Sequence, residues 1–340
     1  SMLTDAKIIL FNFSSTFTGG GLKRLIAYLE WFDNNGGAHF IVNHRIKDLP
    51  LDNKNNTLYY IDSSKIQKAL NNQNYLVDIA RQIGTDIDLY YSYGIPVPYK
   101  VGKVNWFHLS NVLPLIEHSG HGLHLLRSIE LKWLGVLIRR NYKNAEVLSA
   151  ESNYSLSLFP SNLHHNLVVS PNGSDKEIKL FEQSIDLKIN DIAVIVGTFS
   201  YKDLDNSYNI FLELQEKNSK LRLVIIGDRT AIPHKIKNDQ RVDVIGDVPH
   251  DEVIALLSSA KFYINTSRVE NSWNAASEGA LLAQESFISD IEPHLELLDI
   301  IVREKYVHNN SFLHFEKKSL TPKDLPTWSD VIEGIIEFTD

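Results

Sequence analysis

Val269-Glu270-Asn271-Ser272-Trp273-Asn274-Ala275-Ala276-Ser277-Glu278-Gly279-Ala280-Leu281-Leu282 follows an apolar run, Phe262-Tyr263-Ile264-Asn265-Thr266-Ser267. The run reads as a buried strand. Beyond Asn274 the residues are mostly good helix formers. The stretch therefore predicts a strand, a short polar loop holding Glu270, and a helix beginning between Ser272 and Asn274. Glu270 stands before that helix and Glu278 lies inside it, eight positions on. Between them fall the N–H groups of the helix start. That end carries unpaired donors and partial positive charge, which suit a phosphate. Ionised carboxylates only accept hydrogen bonds, so they suit hydroxyls. One loop thus has the chemistry to hold a sugar hydroxyl, a diphosphate and a ribose.

The chain around it has 340 residues, long for one core and suited to two domains. Its apolar content of 43% is ample for packing. A net charge of −8 argues against a nucleic-acid partner, whose binding domain is basic. With no cysteine there is no disulfide and no thiolate metal site, which fits a cytoplasmic protein. No apolar run reaches the roughly 18 residues of a membrane span, and no signal peptide is visible. Ser1-Met2 reads as a cleavage scar.

Strands are expected at 7–13, 39–43, 58–61, 88–93, 103–110, 145–150 and 167–169. They alternate with helices at 22–34, 66–83 and 125–142. Alternation of this kind implies parallel sheets, which bind ligands beyond the carboxyl ends of their strands. Ser14-Ser15-Thr16-Phe17-Thr18-Gly19-Gly20-Gly21 reads as a glycine-rich turn between the first strand and helix, open to close approach by a ligand. It is neither a dinucleotide fingerprint nor a P-loop. A polar linker is expected at 176–190. New strands follow at 192–197, 221–226 and 242–246. Residues 302–320 carry no clear pattern, and 328–338 reads as a terminal helix.

The Glu-x7-Glu spacing on a strand, loop and helix resembles the retaining nucleotide-sugar glycosyltransferases of family 4, which have the two-domain GT-B fold. Ser289-Asp290-Ile291-Glu292-Pro293-His294-Leu295-Glu296 is similar to that family's next strand and loop, and Pro171-Asn172-Gly173-Ser174-Asp175 to the end of its first domain. The resemblance implies an α/β chain of two Rossmann-like domains facing each other across a cleft. The first would span 2–175 on the acceptor side. The second, 190–320, would bind the nucleotide sugar, and a helix in 321–340 would cross back to the first domain.

It also implies roles. Glu270 would orient hydroxyls of the transferred sugar, and Glu278 would hold the ribose. Main-chain groups of Ser272, Trp273, Asn274 and Ala275 would meet the diphosphate. Gly20 and Gly21 would face the cleft, and the segment around Val248 would read the nucleobase. The family's clamp arginine falls at Thr198, with no Lys-Gly following. Lys202 is the available cation and Arg229 a second candidate. A histidine at the end of the fifth strand, His108, would touch the sugar, with His118, His121 and His124 competing. A half-buried histidine bonded to a carbonyl fits the same position. No closed metal site is marked, and none is required by this fold; Asp203-Leu204-Asp205 is a chance Asp-x-Asp.

The expected activity is retaining hexosyl transfer from a nucleotide-diphosphate sugar to a glycan or lipid-linked acceptor, in O-antigen or capsule assembly at the inner membrane face. Residues 125–143 hold Arg127, Lys132, Arg139 and Arg140 among leucines and Trp133, which suits either an anionic membrane surface or a packed helix with a solvated basic face. A degenerate, non-catalytic binding module and a sugar-nucleotide epimerase are the competing readings.

Overall fold

A computed structural model describes residues 7–46, 48–49, 51–160, 165–183, 188–304 and 306–340. Ser1-Met2 lies outside them. The chain forms two compact units. One holds the residues up to Glu117, Leu125–Gly173 and Pro326–Asp340; the other holds His118–His124 and Ser174–Leu325.

In the first unit β1 (Ile9–Phe13), α1 (Gly19–Asp33), β2 (His39–Asn43), β3 (Thr57–Ile61), α2 (Lys65–Ala69), α3 (Tyr75–Ile83), β4 (Leu89–Tyr93), β5 (Val104–Leu109), α4 (Leu125–Asn141), β6 (Val147–Ala150), α5 (Asn153–Leu156) and β7 (Asn166–Val169) follow in order. The strands form one seven-stranded sheet, β3-β2-β1-β4-β5-β6-β7, parallel throughout. Strands β1 and β4 are buried on both faces, Asn12 and Ser92 included, as befits central strands of a parallel sheet. Phe11 stacks on Phe40 at 5.0 Å and tilts against Tyr28, Phe32 and Tyr91, so aromatic rings dominate this core.

The second unit runs α6 (Asp175–Gln183), β8 (Asn190–Val196), α7 (Leu204–Lys217), β9 (Arg222–Ile226), α8 (His234–Lys237), β10 (Val242–Gly246), α9 (His250–Ser259), β11 (Ala260–Asn265), α10 (Asn274–Leu282), β12 (Glu285–Ser289), α11 (Glu292–Ile301), β13 (Val307–Asn309) and β14 (Phe312–Glu316). Its sheet is β10-β9-β8-β11-β12-β14-β13; the first five strands are parallel and the last two antiparallel. The closing helix α12 (Trp328–Ile336) then packs on α1, and its Val331, Ile332, Ile335 and Ile336 join the first unit's core. The chain thus returns to its first unit.

Four expectations need correction. The helix expected at 66–83 is two helices, because Asn71 takes a left-handed φ of 53° in an Asn-rich break. The linker at 176–190 is largely the helix α6, with its first turn carrying Asp175 and Glu177; 184–187 lie outside the described residues. Residues 302–320 include the hairpin β13–β14, turned at Asn310 with φ 56°. The glycine turn is the first turn of α1. A Cβ on Gly21 would lie 2.9 Å from the Tyr93 ring and 3.0 Å from the Thr16 methyl. Close packing of α1 on the sheet accounts for that glycine.

Candidate functional site

Both sheets share the strand order 3-2-1-4-5, whose switch point lies between the first and fourth strands. In the second unit those strands are β8 and β11. The segments leaving their carboxyl ends carry Lys202 and Glu270, and the fold brings them together: Lys202 Nζ lies 2.6 Å from Glu270 Oε1. Three contacts position the lysine. Gly197, at φ 95°, leaves room where a Cβ would stand 3.1 Å from Lys202 Cε. Thr266 Oγ1 donates to Asp203 O at 2.8 Å, and Arg268 N donates to Tyr201 O at 2.8 Å. The loop after β8 is thereby tied to the end of β11.

Helix α10 starts above Tyr263. A Cβ on Gly279 would be 2.4 Å from the Tyr263 ring, so this glycine lets the helix rest on the aromatic face. Burial pushes the phenol well above its usual range, and the nearby carboxylates of Glu270 and Glu278 add to the effect. Tyr263 is therefore a neutral floor beneath α10. Ser272 Oγ accepts from Asn274 N, the first N–H of the helix, at 3.0 Å. The next donors, Ala275 and Ala276 N–H, have no acceptor inside the helix. Trp273 is buried with its indole in the core, so only its main chain stands at the helix start. Glu278 pairs with His250 Nε2 at 3.1 Å, the histidine being half exposed.

The remaining expected residues fall elsewhere. Thr198 is buried against Gly227, where a Cβ would meet its methyl at 2.8 Å. Arg229 donates to Val244 O at 2.9 Å and lines a cavity of about 560 Å³ at the β10 edge. Val248 packs on the core that contains Trp273. A second cavity, about 440 Å³, is lined by Asp203, Ser267, Arg268, Ser289 and Asp290 among others. Neither cavity includes Glu270 or Glu278.

Gly20, Gly21 and His108 belong to the first unit. His108 is fully buried, stacked on Tyr93 at 5.3 Å, with Nδ1 2.7 Å from Ser149 Oγ. Burial, helped by the charge on Arg24, holds its pKa well below the ordinary value, so it is a neutral ring inside the sheet. The histidine-rich segment instead belongs to the second unit, where Ser200 Oγ donates to His121 O at 2.6 Å and Arg268 Nη1 donates to Gly120 O.

Two residues carry more than their sequence context suggests. Arg24, on α1, is fully buried. It donates to Asn172 Oδ1 at 3.1 Å, Tyr28 OH at 2.9 Å, Ser170 Oγ at 3.2 Å, Ser170 O at 2.6 Å and Glu151 Oε1 at 3.3 Å. The Pro-Asn-Gly turn is thus a receptor for this guanidinium. His294, in the first turn of α11, is also fully buried, and both Glu270 and Lys202 act on its charge.

Neither protein-family models nor curated proteins match the chain. Solved structures do. Anabaena Alr3699/HepE in complex with UDP and glucose aligns over 86% of this chain and 83% of its own, at TM-score 0.56 and 16% identity. WaaG, a glycosyltransferase involved in lipopolysaccharide biosynthesis, aligns over 86% and 83%, at 0.56 and 11%. Sucrose-phosphate synthase from Thermosynechococcus elongatus aligns over 84% and 82%, at 0.56 and 9%. Identities this low establish architecture: two Rossmann-like units on one chain, the GT-B fold of glycosyltransferases.

Proposed function

We propose that the chain is a retaining glycosyltransferase of the family 4 type, moving a hexosyl group from a nucleotide-diphosphate sugar to a hydroxyl of a glycan or lipid-linked acceptor. The carrying observation is the Lys202–Glu270 pair at the switch point, beside the start of α10 and eight residues before Glu278. Departure of the leaving group builds negative charge on the diphosphate. Lys202 and the first N–H groups of α10 are fixed donors that would stabilise it. Glu270 would orient the sugar, and Glu278 would hold the ribose after exchanging its contact with His250. No nucleophile of the chain is assigned, in keeping with a front-face route in which the leaving phosphate takes the acceptor proton. Neither metal nor cofactor has a part in this scheme.

The acceptor context we favour is O-antigen or capsule-type assembly at the cytoplasmic membrane face. Among the described residues no helix is long and apolar enough to cross a membrane. Support for peripheral contact comes from α4, which exposes Leu125, Leu126, Ile129 and Trp133 beside Arg127. Trp133 Nε1 donates to Ala69 O at 2.7 Å, bringing the exposed Ile66 and Leu70 alongside. Sedimentation with vesicles rich in phosphatidylglycerol, lost on Ile129→Glu, is the result expected; no binding of the wild type removes this part.

A second reading, a degenerate binding module, draws on Thr198 at the clamp position and on Arg229 being tied to β10. Thermal unfolding with UDP, GDP, ADP, CMP and dTDP, without metal, separates the two. Ligand at about 100 times its Kd adds about 2.7 kcal/mol to the native state. One nucleotide raising the midpoint supports the transferase; no response from any of them favours the module.

A further inference from the structure

His294 has one ring nitrogen accounted for and one not. Nδ1 lies 2.8 Å from Ser289 O, a carbonyl that can only accept, so Nδ1 carries the proton. That tautomer leaves Nε2 as a bare acceptor. Nε2 is buried and, among the described residues, has no hydrogen-bond partner; the same holds for Ser267 Oγ. The two are linked: Ser289 Oγ donates to Ser267 O at 2.6 Å and lies 3.2 Å from His294 Nδ1. Ser267 lies two residues past β11 and three before Glu270, and His294 lies in the first turn of α11, five residues after Ser289.

A buried acceptor without a partner costs stability. A leucine or phenylalanine would fill the same space without that cost, so the free chain gains nothing from Nε2. Ring protonation offers no relief, since burial lowers the His294 pKa. The missing partner is therefore a donor that arrives from outside. Glu270, an acceptor, and Lys202, whose ammonium is engaged with it at 2.6 Å, both act on the charge of this ring. A neutral hydroxyl is the donor that such a site can take without burying a new charge.

We propose that His294 Nε2 accepts a hydrogen bond from a hydroxyl of the sugar on the nucleotide donor, making His294 a specificity-determining residue. This rests on the transferase reading above and names a contact within it. Ser289 acts through His294, holding its tautomer and ring plane.

The test compares the wild type with His294→Asn, whose side-chain amide can keep the bond to Ser289 O while removing Nε2. Binding of UDP and of UDP-glucose is measured by calorimetry, replacing uridine by whichever nucleoside stabilises the chain, followed by turnover on the glucosyl donor and its monodeoxy analogues. The wild type should bind the nucleotide sugar more tightly than the nucleotide and should reject one deoxy analogue. The variant should bind the bare nucleotide unchanged, lose about 10- to 100-fold on the intact donor, and treat that deoxy analogue like the parent sugar. An unfolded His294→Asn would be replaced by His294→Phe, which fills the space of the ring and offers no acceptor at the Nε2 position. Equal discrimination by wild type and folded variant overturns the assignment of His294 and leaves the transferase standing. A wild type that binds no nucleotide overturns both.

Discussion

Lys202 Nζ meets Glu270 Oε1 at 2.6 Å with the two side chains only 12% and 16% exposed, so the candidate cation and the candidate sugar-binding carboxylate neutralise each other. Removing one partner strands a mostly buried charge. Lys202→Met is expected to cost about 2–4 kcal/mol, somewhat less than a fully buried pair, because some solvent reaches the survivor. The double variant Lys202→Met/Glu270→Gln should regain most of that loss in a urea midpoint. Turnover should fall at least about 100-fold in each single variant and stay low in the double, since fixed charge at the reacting centre is gone. Full turnover in both single variants would show that this pair is structural.

Glu278 bears on a different step. His250 is half exposed and its contact with Glu278 is 3.1 Å, so His250→Gln should shift stability by no more than about 0.5 kcal/mol. The same change frees the carboxylate and should leave nucleotide affinity equal or better. Glu278→Ala should instead weaken binding of the nucleoside diphosphate by about 10-fold, the worth of a charge-assisted hydrogen bond to ribose. Calorimetry with the bare nucleotide reads both; unchanged affinity in Glu278→Ala would remove the ribose role.

Gly279 sets two effects against each other. In a helix interior alanine is favoured over glycine by about 1 kcal/mol. Here a Cβ would stand 2.4 Å from the buried Tyr263 ring, and forcing it in costs about 1–3 kcal/mol or more. The clash wins, so Gly279→Ala should lower the melting midpoint, and Tyr263→Val should relieve much of the penalty in the double variant. A midpoint that rises would mean that α10 slides freely on its floor.

Much of this was legible from spacing and pattern. The apolar run 262–265 and the helix formers after Asn274 predicted β11 and α10, because strand and helix periodicities are local properties. Alternating elements likewise predicted parallel sheets. What stayed hidden depends on distance in sequence. Arg24 reads as an ordinary surface cation of a helix; only Ser170, Asn172 and Glu151, more than 120 positions away, make it a buried node. His294 sits in a helix's first turn, where histidine is unremarked, and its tautomer is fixed by a carbonyl of the preceding strand. The hairpin β13–β14 is not legible because its first strand, Val307–Asn309, is short and exposed, with no alternation to read. Asn71 broke a helix that periodicity ran through, since a left-handed asparagine leaves the apolar spacing nearly intact.

The buried histidines predict how the fold responds to acid. His108 and His294 are both fully buried, and burial lowers the pKa of each below the ordinary value of 6.5. His39 and His121 shift the same way. Above pH 6.5 these rings are neutral in folded and unfolded chains alike, and the fold keeps its full stability. As pH drops below 6.5 the unfolded chain binds protons that the fold refuses, so stability falls with falling pH. The loss continues until pH reaches the lowered folded values. His108 and His294 together give a slope of up to about 2.7 kcal/mol per pH unit once both rings are charged in the unfolded state. Urea midpoints between pH 7 and pH 5 should show this decline before the carboxylates titrate, and His294→Asn should flatten it by up to half. Midpoints that stay level across that window would mean that both rings take up protons inside the fold, which would also deny His294 the bare nitrogen on which its donor contact depends.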